Sequence, residues 1–288
     1  MWPALATCVQ SLYPPSTALP AADLEAALQD AKHHVATLRD RNDPVPLFDA
    51  LTNVAQHFVK PEFWALGHIG QSLHEARTLS ELAVRHRSEL HNICEIGLNA
   101  GHSAALWLSL TSARLQSFDT FGLPHSVGSR GFIQALFPGR VDFHAGDSRK
   151  TLKAYADQVQ SGAARPCDLS FIDGNHNHGF PGPDMKHAIN ASRIGSLIVA
   201  DDATVKFPAV LLVWKKLTEV TKQVQPLDCH AQAVCMLRNR SFVACDPKLG
   251  LRACQSSLES TADTCFSKRW CVGRLVSFTR LTSPYGRG

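Results

Sequence analysis

Acidic side chains end two apolar runs in the second half of the chain, and histidines follow one of them. The stretch FIDGNHNHG places Asp173 at the end of an apolar run and His176 and His178 on the polar loop that follows. A later apolar run ends in the acidic pair Asp201 and Asp202. Carboxylates can hold a divalent cation, and a histidine with a pKa near about 6.5 can accept a proton at neutral pH. The pattern points to cation-assisted proton transfer.

A glycine turn in the stretch EIGLNAGHS, residues 95–103, is the second chemical signal. A dinucleotide-binding fingerprint would need glycine where this chain has Asn99 and His102, so a nicotinamide dehydrogenase is not favoured. The turn keeps a bare backbone at Gly97 and Gly101 without a phosphate cradle. Such a turn suits a nucleoside ligand that carries no phosphates.

The acidic residue that ends the next apolar run fits the same ligand. Asp119 follows Glu95 by 24 residues, and a carboxylate at that place can accept hydrogen bonds from both hydroxyls of a ribose. The alternative is an ordinary strand–turn–helix connection in which Ser103 caps the helix.

The elements that would position these residues follow from the hydrophobic pattern. Short apolar runs alternate with helical periods from residue 92 onward, which predicts a parallel sheet with helices on both faces. Ligands of such sheets bind beyond the carboxyl ends of the strands, so the acids would meet in one crevice. The predicted strands are 92–97, 115–120, 140–146, 167–173 and 195–202, and RWCVGRLVSFT at 269–279 is the last.

The rest of the chain suggests an extension and an insertion around this core. We predict an N-terminal helical extension over residues 1–60 with a loosely structured start, and a main domain over 61–280. Helical periods cover 21–41 and 71–87. A cysteine-rich segment at about 229–268 breaks the pattern and is interpreted as a surface insertion or an irregular hairpin.

Composition narrows the class of protein. The 288 residues are 44% hydrophobic and 19% charged with a net charge of +4, which is typical of a globular chain. No basic run and no apolar run of about 18–20 residues occur, so neither nucleic acid nor a membrane is an expected partner. The nine cysteines form no C-x-x-C pair. Thiols in a cytoplasmic chain are the favoured interpretation, and a local disulfide set in a secreted chain is the alternative.

Five motifs together carry a family resemblance: CEIGLNAGHSAALWL, FDT, GDSRKTL, DLSFIDGNH and LIVADD, in this order. They resemble a class I S-adenosylmethionine-dependent methyltransferase, and most of all the family 24 enzymes related to the catechol and macrolide-sugar O-methyltransferases. The resemblance covers about residues 61–220, with RWCVGRLV as a last strand. It implies an α/β fold with a Rossmann-like, doubly wound, mostly parallel seven-stranded sheet.

The resemblance also implies a cofactor and the residues around it. S-adenosylmethionine would bind along the glycine turn, with its ribose on Asp119 and its adenine near Asp147 and Ser148, although Asp147 could equally cap the next helix. His102 is expected to pack against the cofactor. The residues so assigned are Glu95, Gly97, Asn99, Gly101, Ser103, Asp119, Asp147 and Ser148.

The same resemblance implies a cation and a base. Mg²⁺ or another divalent cation would be held by Asp173, Asp201 and Asp202, and His176 would take the proton of the substrate hydroxyl, with Asp173 as the next candidate base. His178 is interpreted as a bystander. The implied activity is O-methyl transfer to a small hydroxylated molecule by a chain that could pair with its own copies. The alternative is an inactive nucleoside-binding module that acts through protein partners.

Overall fold

The structure, a computed structural model, describes residues 21–58, 69, 72–237, 242–244 and 262–278. One sheet runs through the described part of the chain. Its strands are β1 (Asn92–Ile96), β2 (Arg114–Asp119), β3 (Val141–Ala145), β4 (Cys167–Ile172), β5 (Ser192–Ala200), β6 (Val224–Leu237), β7 (Phe242–Ala244) and β8 (Ala262–Leu275). Their order across the sheet is β3-β2-β1-β4-β5-β8-β6-β7.

The pairing of the strands confirms the predicted fold class. Strands β1 to β5 are parallel, while β8 runs antiparallel to both β5 and β6. Every residue of β1 and β4 is buried, as expected for parallel strands with helices on both faces. The result is a Rossmann-like, mostly parallel sheet of seven strands, with the three-residue β7 added at its edge.

Helices surround this sheet. They are α1 (Ala21–Arg41), α2 (Val45–His57), α3 (Leu73–His86), α4 (His102–Leu110), α5 (Pro124–Leu136), α6 (Ser148–Gln160), α7 (Pro181–Asn190) and α8 (Pro208–Lys215), which continues as a π-helical turn over Lys216–Val220. Proline lies in the first turn of α2, α5, α7 and α8, where its missing N–H costs no helical hydrogen bond. Within the described part of the chain, no helix combines the length and apolarity that a bilayer crossing would need.

The helices of the N-terminal extension are packed into the core of the main domain. Leu38 of α1 and Leu51 of α2 belong to the same buried cluster as Trp107 of α4. A second cluster on the other side of the sheet contains Met185 of α7 and Trp214 of α8. The extension therefore contributes to the packing that supports the strand ends.

Two parts of the chain differ from the sequence-based prediction. Helix α2 was not predicted, because the prolines at 44 and 46 interrupt its sequence although both fall at the helix start, where proline is tolerated. Residues 229–237 and 262–268 of the segment expected to be a surface insertion or an irregular hairpin lie in β6 and β8. These long antiparallel strands supply each other's backbone hydrogen bonds despite an uneven composition. Residues 245–261 lie outside the described part.

The expectation of free thiols is wrong for four cysteines. Cys94 of β1 is bonded to Cys167 of β4, and Cys229 of β6 is bonded to Cys271 of β8. In each pair the two cysteines lie on strands that are neighbours in the sheet, although 73 and 42 residues separate them along the chain. Sheet pairing, which spacing along the chain does not show, brings them together.

The glycine turn after β1 is pressed against the end of β4. The N–H of Gly97 donates to the carbonyl of Phe118, and the N–H of Asp173 donates to the carbonyl of Ile96. Gly97 has a φ of +94°, and a Cβ added there would collide with the carbonyl oxygen of Asp173. The absence of a side chain at this position therefore lets two parts of the predicted site meet.

We predict that Gly97→Ala destabilises the protein more than Gly139→Ala does. Gly139 also has a positive φ, +71°, but a Cβ there would meet nothing within 4 Å. The control should lose about 1–2 kcal/mol from the left-handed backbone alone. Gly97→Ala should lose about 1–3 kcal/mol more because backbone must shift. Urea denaturation of both variants measures this, and equal losses would contradict the proposed close packing.

Candidate active site

Asp119, at the end of β2, holds the glycine turn in place. Its Oδ2 accepts hydrogen bonds from the backbone N–H groups of Leu98 (2.8 Å) and Asn99 (3.2 Å), and its Oδ1 accepts from Phe121 (2.6 Å). Oδ2 thus has both of its acceptor sites filled, and Oδ1 can accept one further bond. The residue predicted to bind a ribose thus also has a structural role that the sequence did not indicate.

Asn99, on the same turn, is fixed by a histidine that sequence reasoning missed. Asn99 has a left-handed backbone with a φ of 49°. The Nε2 of His125 lies 2.6 Å from its Oδ1. His125 is buried at the start of α5, and burial lowers its pKa, so the ring is neutral and Nε2 carries the proton that is donated. No local motif marks His125, since its contact depends on the position of α5 over the turn.

Glu95 lies at the bottom of the turn as a fully buried carboxyl group. Burial raises the pKa of Glu95 to about 8, and hydrogen bonds from Ser103 and Ser117 only partly oppose this. Its Oε1 makes no hydrogen bond to any described residue. The group is therefore a buried acid with one oxygen left for a polar ligand.

The two remaining parts of the predicted cofactor site have partners within the protein. Asp147 caps α6 by accepting from the N–H of Arg149 (3.0 Å) and also pairs with its guanidinium. The Ser148 side chain hydrogen-bonds to Asp184 of α7, whose pKa burial raises to about 6. The capping role considered for Asp147 is thus present. Asp184 was not predicted from the sequence.

His102 and Gly101 connect the turn to neighbouring helices. The Nε2 of His102 lies 2.9 Å from Thr52 Oγ1 and 3.2 Å from the carbonyl oxygen of Phe48, both on α2. Burial lowers the pKa of His102 to about 3. Gly101 has a φ of +82°, and a Cβ there would touch Ile133 of α5. His102 therefore contacts α2, and its packing against a cofactor stays a prediction.

Asp173, His176 and Asp202 come together beyond the ends of β4 and β5. His176 Nε2 lies 3.4 Å from Asp173 Oδ1, and His176 Nδ1 lies 3.4 Å from Asp202 Oδ2. Both separations are longer than a good hydrogen bond. The three side chains are between 13% and 21% exposed, so they face solvent only narrowly. His178 is exposed and joins no such group among the described residues.

Burial and mutual repulsion change the charge of these groups. Burial, together with the nearby charge of Asp201, raises the pKa of Asp173 to about 7 and that of Asp202 to about 6. Burial alone would lower the pKa of His176, but Asp173 and Asp202 raise it above its usual value. Without a bound cation, protons therefore neutralise part of the cluster.

Asp201, the third predicted ligand, has a different neighbour. Its Oδ2 lies 2.9 Å from the Nζ of Lys268 on β8, and that ammonium also lies 2.7 Å from Oε2 of Glu75 on α3. Asp201 and Glu75 are fully buried, and Lys268 is 8% exposed. Lys268 keeps the pKa of Asp201 below its usual value against the effect of burial. The sequence marked neither Lys268 nor Glu75, which lie far from Asp201 along the chain.

The donor atoms present fit a divalent cation. One ligand atom from each of Asp173, His176 and Asp202 lies within 4.8 Å of the others. His176 Nε2 and Asp201 Oδ1 are buried and form no hydrogen bond within the described part of the chain. Carboxylate oxygens suit Mg²⁺ or Mn²⁺, and an imidazole added to them suits transition metals.

Comparisons with known proteins agree with the sequence motifs. Residues 94–203 match a family model described as a methyltransferase domain. The O-methyltransferase TomG from Streptomyces achromogenes, solved with S-adenosylmethionine (SAM), is 14% identical, with a TM-score of 0.51 over 96% of this chain and 97% of that one. A Bacillus cereus O-methyltransferase in complex with S-adenosylhomocysteine (SAH) is 15% identical, with a TM-score of 0.48 over 95% and 98%. No curated protein matches the sequence.

The likeness to TomG at this level of identity shows a shared fold. The family match confirms the resemblance predicted from the motifs. Residues 94–203, which match the methyltransferase-domain model, hold most of β1 and all of β2 to β5, together with the glycine turn and both acidic strand ends.

We predict that Asp119→Ala destabilises the ligand-free protein by about 1–3 kcal/mol, because three backbone N–H groups lose their acceptor. Asp142→Ala is the matched control. Asp142 meets Arg114 at the surface (3.1 Å), and such pairs contribute about 0–1 kcal/mol. Thermal denaturation of both variants measures the difference. A loss at Asp119 no larger than that at Asp142 would rule out its role in holding the turn.

Proposed function

We propose that the chain transfers the methyl group of SAM to a hydroxyl oxygen of a small molecule, with the help of a divalent cation. The observation that carries the proposal is the placement of His176 between Asp173 and Asp202, directly beside the glycine turn. The family match supports methyl transfer, and TomG, an O-methyltransferase solved with SAM, supports the cofactor.

The glycine turn and β2 would hold the cofactor. Asp119 would accept a hydrogen bond from a ribose hydroxyl through Oδ1 while keeping its backbone partners, and Asn99, fixed by His125, would line the same side. The unpartnered oxygen of Glu95 would accept from a polar group at the methionine end. When bound, SAM supplies a methyl group on a positively charged sulfur, which leaves as the neutral thioether of SAH.

His176 would act on the acceptor. Its ring lies between two carboxylates that orient it and favour its protonated form. As the methyl group passes from sulfur to the acceptor oxygen, the O–H proton would move to a nitrogen of His176. The products are the methyl ether, SAH and a protonated imidazole that returns its proton to solvent.

Asp173 and Asp202 would hold the cation. When bound, a divalent cation supplies positive charge that neutralises the carboxylates and lowers the pKa of a nearby hydroxyl. His176 could also serve as a third ligand, since its nitrogen lies within the same 4.8 Å group. In that case the nitrogen would be occupied and the proton would pass to Asp173 instead.

We predict that methyl transfer from labelled SAM to a panel of phenolic and sugar alcohols stops in excess chelator and returns with Mg²⁺ or Mn²⁺. Asp173→Asn should lower turnover at least about tenfold while SAM affinity, measured by calorimetry, stays within about twofold, because the cation would hold the acceptor and not the cofactor. Full turnover in chelator would contradict the role of the cation, whereas failure to bind SAM would overturn the whole proposal.

We predict that His176→Ala lowers turnover by about 10²–10⁴-fold, the usual contribution of general base catalysis, and removes the acid limb of the pH–rate profile. His178→Ala, an exposed histidine on the same loop, is the control and should match the wild type. Calorimetry with Mn²⁺ shows whether His176 acts as a base or as a ligand of the cation. A base variant keeps its Mn²⁺ affinity within about threefold, while loss of a ligand lowers it at least about tenfold. Wild-type turnover in His176→Ala would exclude both roles.

A further inference from the structure

Lys268 places a fixed positive charge beside the proposed cation site. Its Nζ lies 2.9 Å from Asp201 Oδ2 and 2.7 Å from Glu75 Oε2, and all three side chains are buried. Removal of one partner from such a group leaves a buried charge without compensation. The ammonium is therefore held between the two carboxylates.

The backbone around Asp201 is fixed as firmly as its side chain. The N–H of Asp201 donates to the carbonyl of Ile172 on β4, and the N–H of Ala203 donates to the carbonyl of Arg269, next to Lys268 on β8. Asp201 is completely buried while its neighbour Asp202 is partly exposed beside His176. The two adjacent acids thus have different surroundings.

We propose that Lys268 is a positioning residue that withholds Asp201 from the cation, so that Asp173 and Asp202 hold it with His176 nearby. The inference rests on the proposed function, because it concerns the same cation. Asp201 Oδ1 makes no hydrogen bond to a described residue, but Asp201 is not one of the three residues whose ligand atoms lie within 4.8 Å of one another. A cation bound to its Oδ2 would lie within about 5 Å of the ammonium, given ligand distances of about 2.1 Å. Repulsion between these charges is strong where solvent is largely excluded.

Glu75 completes this arrangement from a different part of the chain. It comes from α3, ahead of the matched methyltransferase residues, and it shares the ammonium with Asp201. Lys268 donates to Asp201 and contacts Glu75, so its ammonium is directed away from Asp173 and Asp202. The two acids nearest His176 remain available to the cation.

The test is a double-mutant cycle read by calorimetric titration with Mn²⁺ alone. In the wild type, Asp201→Asn should weaken Mn²⁺ binding, because it leaves the Lys268 charge uncompensated beside the site although Asp201 is not a ligand. Lys268→Met should bind Mn²⁺ at least about tenfold more tightly, since Asp201 becomes available and a repelling charge is gone. Adding Asp201→Asn to Lys268→Met should restore the wild-type affinity, and Lys268→Arg should match the wild type within about threefold.

If Lys268 has a purely structural role, a folded Lys268→Met protein should bind Mn²⁺ more weakly than the wild type, and that result would overturn the inference. So would a Lys268→Met/Asp201→Asn protein that binds Mn²⁺ at least about tenfold more weakly than the wild type. If circular dichroism shows that Lys268→Met does not fold, the variant Lys268→Met/Glu75→Gln replaces it. This variant removes the ammonium together with one partner charge, and we again expect Mn²⁺ binding at least about tenfold tighter than in the wild type. Absence of Mn²⁺ binding in the wild type alone overturns the proposed cation role. If no variant binds Mn²⁺, both the proposed cation role and the inference about Lys268 are overturned.

Discussion

Repulsion between acids crowded at one buried edge of the sheet is the constraint that shapes this site. Among the described residues, the carboxyl groups of Glu75, Asp173, Asp201 and Asp202 outnumber the basic groups beside them, which are His176, Lys268 and, near Asp202, Lys206. If all were ionised, negative charge would remain, and a divalent cation would neutralise it. The raised pKa values of Asp173 and Asp202 indicate that protons offset part of this repulsion when no cation is bound.

The edge is assembled from segments that are distant along the chain, so the site needs the whole fold. β4 and β5 provide the acids of the matched domain, β8 provides Lys268, and α3 provides Glu75. On the other side of the crevice, α2 reaches the glycine turn through Thr52 and His102. The N-terminal extension is consequently part of the support of the site, and changes there would alter residues that act at the strand ends.

Local patterns predicted the parts of the site that depend on single strands, and missed those that depend on contacts between distant segments. Asp119, Asp173 and Asp202 each follow a strand, and the carboxyl ends of parallel strands meet at one edge, so their proximity could be expected. The contact between Lys268 and Glu75 joins residues 193 positions apart. Nothing near either residue in the sequence indicates that contact, and the strand pairs that bring the bonded cysteines together are equally non-local.

The acidic pair after β5 shows why residue type and position alone could not assign a role to each member. Both residues lie in the turn that follows Ala200, the last residue of β5. Asp201 is directed to the interior, where Lys268 meets it, and Asp202 to the crevice, where His176 meets it. Asp202 has a left-handed φ of 53°, a conformation that costs a non-glycine residue about 1–2 kcal/mol. Backbone hydrogen bonds after it, from Thr204 to Asp202 and from Ala203 to Arg269, help hold that turn. This unfavourable conformation occurs at the turn where the chain directs Asp201 toward the interior and Asp202 toward the crevice.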